Sequence, residues 1–281
     1  MTRISVPILM YHSISSPYFA SAAFRVCTVP PETFREHVRT LVAEQYTTLT
    51  VSQFVASMRS GADLPPKPVV LTFDDAYADF YVNAFPLLQQ HGLSATLYVP
   101  TAFVGGTSRW LRREGEAGRP LLNWAQLAQI SAAGIECGAH SFSHRQLDTL
   151  APGTVCDEVT WCKRVLEEQL RQPVSSFAYP FGYYNATARQ LVIEAGYTSA
   201  CAVKRALSST GDDPFALARA MVVNDTDAGA FRAILAGRGL PVAPFREPLR
   251  TRMRGVLRRG ATRLERRLHF DSRAPGRVLK C

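Results

Sequence analysis

Short apolar runs and longer amphipathic stretches alternate from the start of the chain to about residue 223. Val6–Tyr11 is apolar and short, as an extended strand would be. Over Pro31–Tyr46 the residues Phe34, Val38, Leu41 and Val42 recur at helical spacing, which predicts a helix with those four on one face. Val69–Phe73 reads as a strand after the stiff Pro65–Pro68 segment. Ala84–His91 reads as a helix closed by Gly92, and Ala95–Val99 as the next strand. Trp124–Ala133 is a helix ended by Gly134, and Ile135–Gly138 is a strand. Val155–Leu170 is amphipathic and leads to the strand Ser176–Tyr179. Ala186–Ala195 is a helix ended by Gly196, followed by strands Tyr197–Val203 and Ala216–Val223. Such alternation predicts a parallel α/β layout, and a barrel fits the count better than an open sheet. Gly105–Pro120 interrupts the pattern as a Gly- and Arg-rich insertion, long enough for a functional loop.

Composition narrows the picture. With 47% apolar and 20% charged residues, 281 residues can bury a sizeable core, and disorder throughout is excluded. No run approaches the length of a membrane span, and the N-terminus lacks the apolar region of a signal peptide. Cys27, Cys137, Cys156, Cys162, Cys201 and Cys281 form no CxxC pair, so reduced cysteines in a cytoplasmic protein are expected. The net charge of +9 resides in the C-terminal segment, where residues 246–281 hold 12 Lys+Arg against 3 Asp+Glu; the rest is balanced. The expected organisation is therefore a neutral body over 1–245 and a basic tail over 246–281. A neutral body argues against a nucleic-acid partner. In the tail, Leu249, Met253, Val256, Leu257, Leu264 and Leu268 recur at helical steps, interrupted by Gly255 and Gly260. That basic amphipathic helix would either pack its apolar stripe on the body or lie on an anionic membrane surface.

Two clusters carry chemistry. Asp74 and Asp75 close the run Leu71–Phe73, where a barrel strand would end. Adjacent carboxylates repel; a divalent cation would resolve this by binding one and leaving the other as a base, whereas the plainer role is a helix cap. His140 and His144 follow a later strand with i, i+4 spacing. On a helical turn both imidazoles would share a face, as a tetrahedral metal requires, although ordinary satisfied histidines can show the same spacing. Two histidines and one carboxylate with open positions would make a catalytic rather than a structural metal site. In Phe177–Asn185 a strand runs into a Pro-aromatic-Gly turn, which is either an ordinary turn or a backbone N–H donor for an oxyanion. His12, at the end of the first strand, is a candidate general acid, although a lone histidine is usually structural.

LTFDDAYADF, HSFSH and YPFGYYN, in that order, resemble the first three motifs of the NodB-homology polysaccharide deacetylases, over roughly residues 4–235. PILMYHSIS and LNWAQLAQISAAGIECGAHSFSH are similar to the branch containing the biofilm poly-N-acetylglucosamine deacetylases. The resemblance implies a distorted (β/α) barrel, a divalent metal (usually zinc), and removal of N-acetyl groups from an N-acetylated glycan. It implies that Asp75, His140 and His144 bind the metal. Asp74 would be the general base, and the Phe181 amide would help hold the oxyanion. A late motif histidine is absent, and His12 matches the Tyr-His motif that supplies the acid in the biofilm branch. Two departures stand out. Ala76 replaces a usual glycine, tolerable if its φ is negative. Ala178 replaces the arginine that orients the base, and Arg219 is a candidate substitute. A fourth motif has no match near Asn224–Asp227, leaving Trp110 and Trp124 as candidates to line the substrate subsite. Other C–N hydrolysis on a small amide or imide, or metal-dependent glycan binding without catalysis, stay open at this level. With no signal peptide and a basic tail, the expected place is the cytoplasm, peripheral on the inner membrane, acting on a cell-surface glycan or its lipid-linked precursor.

Overall fold

The computed structural model describes residues 3–245; the tail, with its predicted amphipathic helix, lies outside the described residues. Seven parallel strands organise the body. They are β1 (Ile8–Tyr11), β2 (Pro68–Phe73), β3 (Thr96–Val99), β4 (Glu136–Ala139), β5 (Ser176–Ala178), β6 (Ser199–Cys201) and β7 (Ala220–Met221). Their order across the sheet is β6-β5-β4-β3-β2-β1-β7. Just before β7, Leu217 pairs with Cys201 of β6, so the last stretch of chain touches both edges of the curled sheet. This curled parallel sheet is the α/β layout that the strand–helix alternation predicts and the distorted barrel that the resemblance implies.

The helices α1 (Pro31–Ala43), α2 (Val51–Ser60), α3 (Phe85–Gln90), α4 (Trp124–Ala132), α5 (Pro152–Leu170), α6 (Ala186–Glu194) and α7 (Ala228–Leu235) accompany the strands. Strand alternation divides the core in two. Leu9, Tyr11, Val69, Leu71, Phe73, Leu97 and Val99 join the helices in an outer layer. Ile8, Val70, Tyr98, Ala178, Cys201 and Leu217 form a smaller inner cluster, joined by Val51, Phe54 and Val55 of α2. Full burial of one such aliphatic or aromatic side chain contributes about 1.5–3 kcal/mol. The outer layer therefore carries most of the stability, and the barrel interior can hold polar groups.

Several elements lie outside the sequence reading, among them α7 and the two that follow. Thr47–Leu49 is a short strand pairing with the first half of β2, while β3 takes the second half. The helix α2 starts in a capping box between Thr50 and Gln53, followed by Val51, Phe54, Val55 and Met58 at helical spacing, a legible signature. On α1, Phe34, Val38 and Leu41 are buried as predicted, but Val42 is 43% exposed, because one residue beyond Leu41 turns off the edge of the stripe. Cys27, Cys137, Cys156, Cys162 and Cys201 are free thiols. No helix among the described residues is long and apolar enough to cross a membrane.

The far end of β1 is anchored from outside. The Tyr11 hydroxyl lies 3.1 Å from His37 Nδ1, and His37 Nε2 lies 2.8 Å from the Thr226 carbonyl. The imidazole stacks on Phe231 of α7 at 4.1 Å, and burial pushes its pKa below the ordinary value. A neutral imidazole suits this place: it donates through Nε2 and accepts from Tyr11.

Candidate active site

The alternation that places Val70 in the inner cluster also turns Thr72 and Asp74 inward, so Asp74 closes an interior-facing line at the mouth of the barrel. Its N–H donates to the Tyr11 carbonyl at 3.0 Å, extending the β1–β2 ladder by one step. A regular strand would send Asp75 to the opposite side. Instead Asp75 and Ala76 both adopt left-handed backbone, with φ of 77° and 53°. This breaks the alternation, and both buried carboxylates line the same site. The condition for an easily tolerated alanine, a negative φ, is thus not met at Ala76. The alanine sits in the left-handed region, at a cost of roughly 1–2 kcal/mol. Its carbonyl accepts from Leu122 N–H at 2.9 Å, which ties the turn to the end of the 105–120 insertion.

Arg219 fills the position left by the missing motif arginine. Fully buried, it donates two parallel hydrogen bonds to Asp74, NH1 to Oδ1 and NH2 to Oδ2, each 2.7 Å. Its NH1 also donates to Thr72 Oγ1 and its Nε to the Ala202 carbonyl, both at 3.1 Å. Burial pushes the Asp74 carboxyl up, but the Arg219 charge, then His140, outweigh this and hold it below the usual range. Asp74 is therefore an oriented carboxylate.

Asp75 faces the histidines. Its Oδ2 accepts from the Tyr77 hydroxyl at 2.9 Å. Its Oδ1 lies 2.9 Å from His144 Nε2 and 3.5 Å from His140 Nε2. Burial raises the Asp75 carboxyl, but His144 and His140 more than offset it, and the net shift is well downward. His140 Nδ1 lies 2.8 Å from the Ala178 carbonyl; a proton donated there leaves the Nε2 lone pair facing Asp75. Burial, reinforced by His144, lowers His140 to about 4, so it is neutral at pH 7.

One ligand atom from each of Asp75, His140 and His144 falls within 4.8 Å of the others. Asp75 Oδ1 is buried and receives no well-aligned hydrogen bond from the described residues. An unsatisfied carboxylate oxygen beside converging imidazole nitrogens is what a divalent cation would satisfy, so the residues present fit such an ion.

The His140–His144 segment is not the predicted helical turn. It has no regular structure, and Ser141 and His144 take left-handed backbone, with φ of 61° and 52°. Glu158 of α5 holds it. The Glu158 side chain accepts from Ser143 N–H at 2.7 Å and from the Ser143 hydroxyl, and its carbonyl accepts from Phe142 N–H at 2.9 Å. Sequence reasoning missed Glu158, whose only signal is a charged residue on the buried face of α5. Tyr77 was missed too, although it lies within the Asp-Asp motif.

Trp110, from the insertion, stacks on His144 at 4.6 Å, and Phe181 meets the same ring edge-on at 4.8 Å. Trp124 instead starts α4 and packs against the outer core. Phe181 itself has left-handed backbone, with φ of 60°, in the short turn Pro180–Gly182. Gly182 follows at φ 73°, and a Cβ there would come within 2.5 Å of Val203, so this turn requires glycine. His12 is half-buried just past β1, and its buried Nδ1 has no hydrogen-bond partner among the described residues. It lies within electrostatic reach of both Asp74 and Asp75, which places it beside the pair. Asn224–Asp227 is the approach to α7, where Asp227 caps the helix by accepting from Ala230 N–H at 2.8 Å. It supplies no fourth motif.

Residues 61–200 match the polysaccharide deacetylase family. The chain belongs to that family. It is 28% identical over 232 residues to the Bacillus subtilis (strain 168) protein YxkH, provisionally named a polysaccharide deacetylase, covering 82% of this chain and 76% of that one. It is 19% identical over 219 residues to the poly-β-1,6-N-acetyl-D-glucosamine N-deacetylase of Staphylococcus aureus (strain MSSA476), covering 74% of this chain and 73% of that one. Among solved structures, the Streptococcus pyogenes deacetylase PplD in complex with acetate superimposes with a TM-score of 0.72 at 25% identity, over 83% of this chain and 99% of that one. IcaB from Ammonifex degensii shares the fold, with a TM-score of 0.67 at 21% identity, over 82% and 97% of the two chains. This polysaccharide deacetylase is accordingly a hydrolase, with NodB homology centred on β2 to β6.

Proposed function

We propose that this polysaccharide deacetylase removes N-acetyl groups from an N-acetylated sugar, in a cell-surface glycan or its lipid-linked precursor. One divalent cation, zinc in the first instance, is held by Asp75, His140 and His144. The observation that carries this reading is the buried convergence of those three residues beside a carboxylate clamped by arginine. A divalent cation bound there supplies Lewis acidity toward the acyl oxygen and brings an attacking water nearer its ionisation range. Asp74, held ionised by Arg219, takes the proton of that water as it adds to the acetyl carbon. The Phe181 N–H donates to the developing oxyanion. His12 gives a ring proton to the sugar nitrogen as the C–N bond breaks, because an amine anion is too poor a leaving group to depart unaided.

An N-acetylated glycan fits better than a small amide. Phe181 and Tyr183 leave about two-fifths of their surfaces exposed beside the site, at 41% and 39%, where a sugar face can stack. The acetate held by PplD is the product this reaction would release. Acetate release from N-acetylglucosamine oligomers, measured with metal content, tests the proposal. The wild type is expected to bind one divalent ion per chain and release acetate, and His140→Ala to lose both. A folded His140→Ala protein with full metal content and full activity would rule the assignment out.

We further assign the enzyme to the cytoplasmic face of an anionic membrane, through residues 246–281. The support is their basic, amphipathic sequence; anionic lipid attracts each engaged Lys or Arg by about 1 kcal/mol. Cosedimentation with anionic vesicles is expected for the full chain, weakening with salt and lost when 246–281 is deleted. Equal binding by the shortened chain would remove this role from the tail.

A further inference from the structure

We infer that Asp79 and Asn83 form a clamp that positions His12 by gripping the backbone immediately after it; the inference rests on the acid role proposed for His12. Among the described residues the buried Nδ1 of the imidazole has no hydrogen-bond partner to orient it. A general acid must nevertheless meet the leaving atom within hydrogen-bond reach. Its orientation must then come from the chain on either side. Before it, Tyr11 is fixed in the core and tied to His37.

After it, Ser13 and Ile14 are held through side chain and backbone alike. Asp79 Oδ2 accepts from the Ser13 hydroxyl at 2.6 Å, and Oδ1 accepts from the Ile14 N–H at 3.0 Å. Asn83, one helical turn further on, donates through Nδ2 to the Ile14 carbonyl at 2.8 Å. Both backbone groups of Ile14 are thus satisfied by side chains from one face of the Phe80–Ala84 turn and its N-cap. The Ser13 N–H donates to the Cys27 carbonyl at 3.2 Å, and Ser13–Ile14 pairs in parallel with Thr28–Val29.

The grip comes from the same stretch that carries the carboxylates, because Asp79 lies four residues after Asp75. The acid and the base–ligand pair are therefore referenced to one rigid segment. Asp79 reaches none of the reacting groups itself; it is a positioning residue.

The experiment compares wild type, Asp79→Ala, Asn83→Ala, His12→Ala and the Asp79→Ala/His12→Ala pair on two substrates, with metal content measured throughout. One substrate is an N-acetylglucosamine oligomer, whose amine leaving group needs a proton. The other is 4-nitrophenyl acetate, whose phenolate leaves without one. Asp79→Ala is expected to lower amide turnover about 10–100-fold, as loss of an aligned acid does. The ester rate should stay within about 3-fold, and metal content should not change. In the double variant no further amide loss beyond His12→Ala is expected, since the two residues act as one unit. Equal loss on both substrates, or additive loss, would overturn the clamp. A second readout does not depend on turnover: the ring signals of His12 in ¹³C-histidine-labelled protein should shift in Asp79→Ala. If the wild type hydrolyses neither compound, the functional reading fails, and an unmoved His12 signal then decides separately against the clamp.

Discussion

Asp74→Asn is expected to lower acetate release by about 10²–10⁴-fold, the usual worth of a general base, with metal content unchanged. The Tyr77 bond and the 2.9 Å His144 contact belong to Asp75; the Asp74 carboxylate is bonded to Arg219, with His140 Nε2 3.9 Å away. Asparagine keeps the size and one acceptor but cannot take the proton of the attacking water. Its amide nitrogen would also point donor hydrogens at Arg219, which loses its counter-charge. Some stability loss is therefore expected alongside, and thermal unfolding must be followed on the same sample. Activity within a few-fold of wild type in a fully folded, metal-loaded Asp74→Asn protein would place the base elsewhere.

Arg219→Met should be the most destabilising single change near the site. It removes two bonds to Asp74 and one each to Thr72 and Ala202. It leaves Asp74 buried and charged without a partner, a situation that costs roughly 3–5 kcal/mol. For a domain of this size each kcal/mol lowers the Tm by about 2–4 °C, so a drop of roughly 6–20 °C is expected by calorimetry. Pairing Arg219→Met with Asp74→Leu should recover most of that loss while leaving the enzyme inactive, because two apolar groups can replace a buried ion pair without leaving either charge stranded. If Arg219→Met melts with the wild type, the bidentate pair contributes nothing to the fold.

The parts of this fold written in local pattern were legible. The strands over Val69–Phe73 and Ala95–Val99, and the helices over Pro31–Ala43 and Pro152–Leu170, declare themselves by spacing. The short strand Thr47–Leu49 does not, since three residues carry too little periodicity and only pairing with β2 defines it. In the site, Asp74, Asp75, His140, His144, His12 and Phe181 stood out because their motifs are compact. What sequence could not show was backbone direction. An i, i+4 histidine pair suggests a helix, yet here two left-handed residues and Glu158 bring the rings together. Ala76 was likewise left conditional, because a residue type does not reveal the sign of φ. Arg219 could only be guessed, since its partner is far away in sequence and the contact exists only once the barrel curls.

That distance also orders events on the ribosome. Arg219 is made 145 residues after Asp74. At about 5–20 residues per second, its codon is reached roughly 7–30 s later. His12, both aspartates and both histidines are all synthesised before the guanidinium that neutralises Asp74. A nascent chain stalled ahead of residue 219 would carry every other group of the proposed chemistry and still lack the cation that lets the interior close around it. The residue just before the final strand therefore completes the Asp74 contacts as the sheet curls, and the proposed activity is expected only after residue 219 has been made.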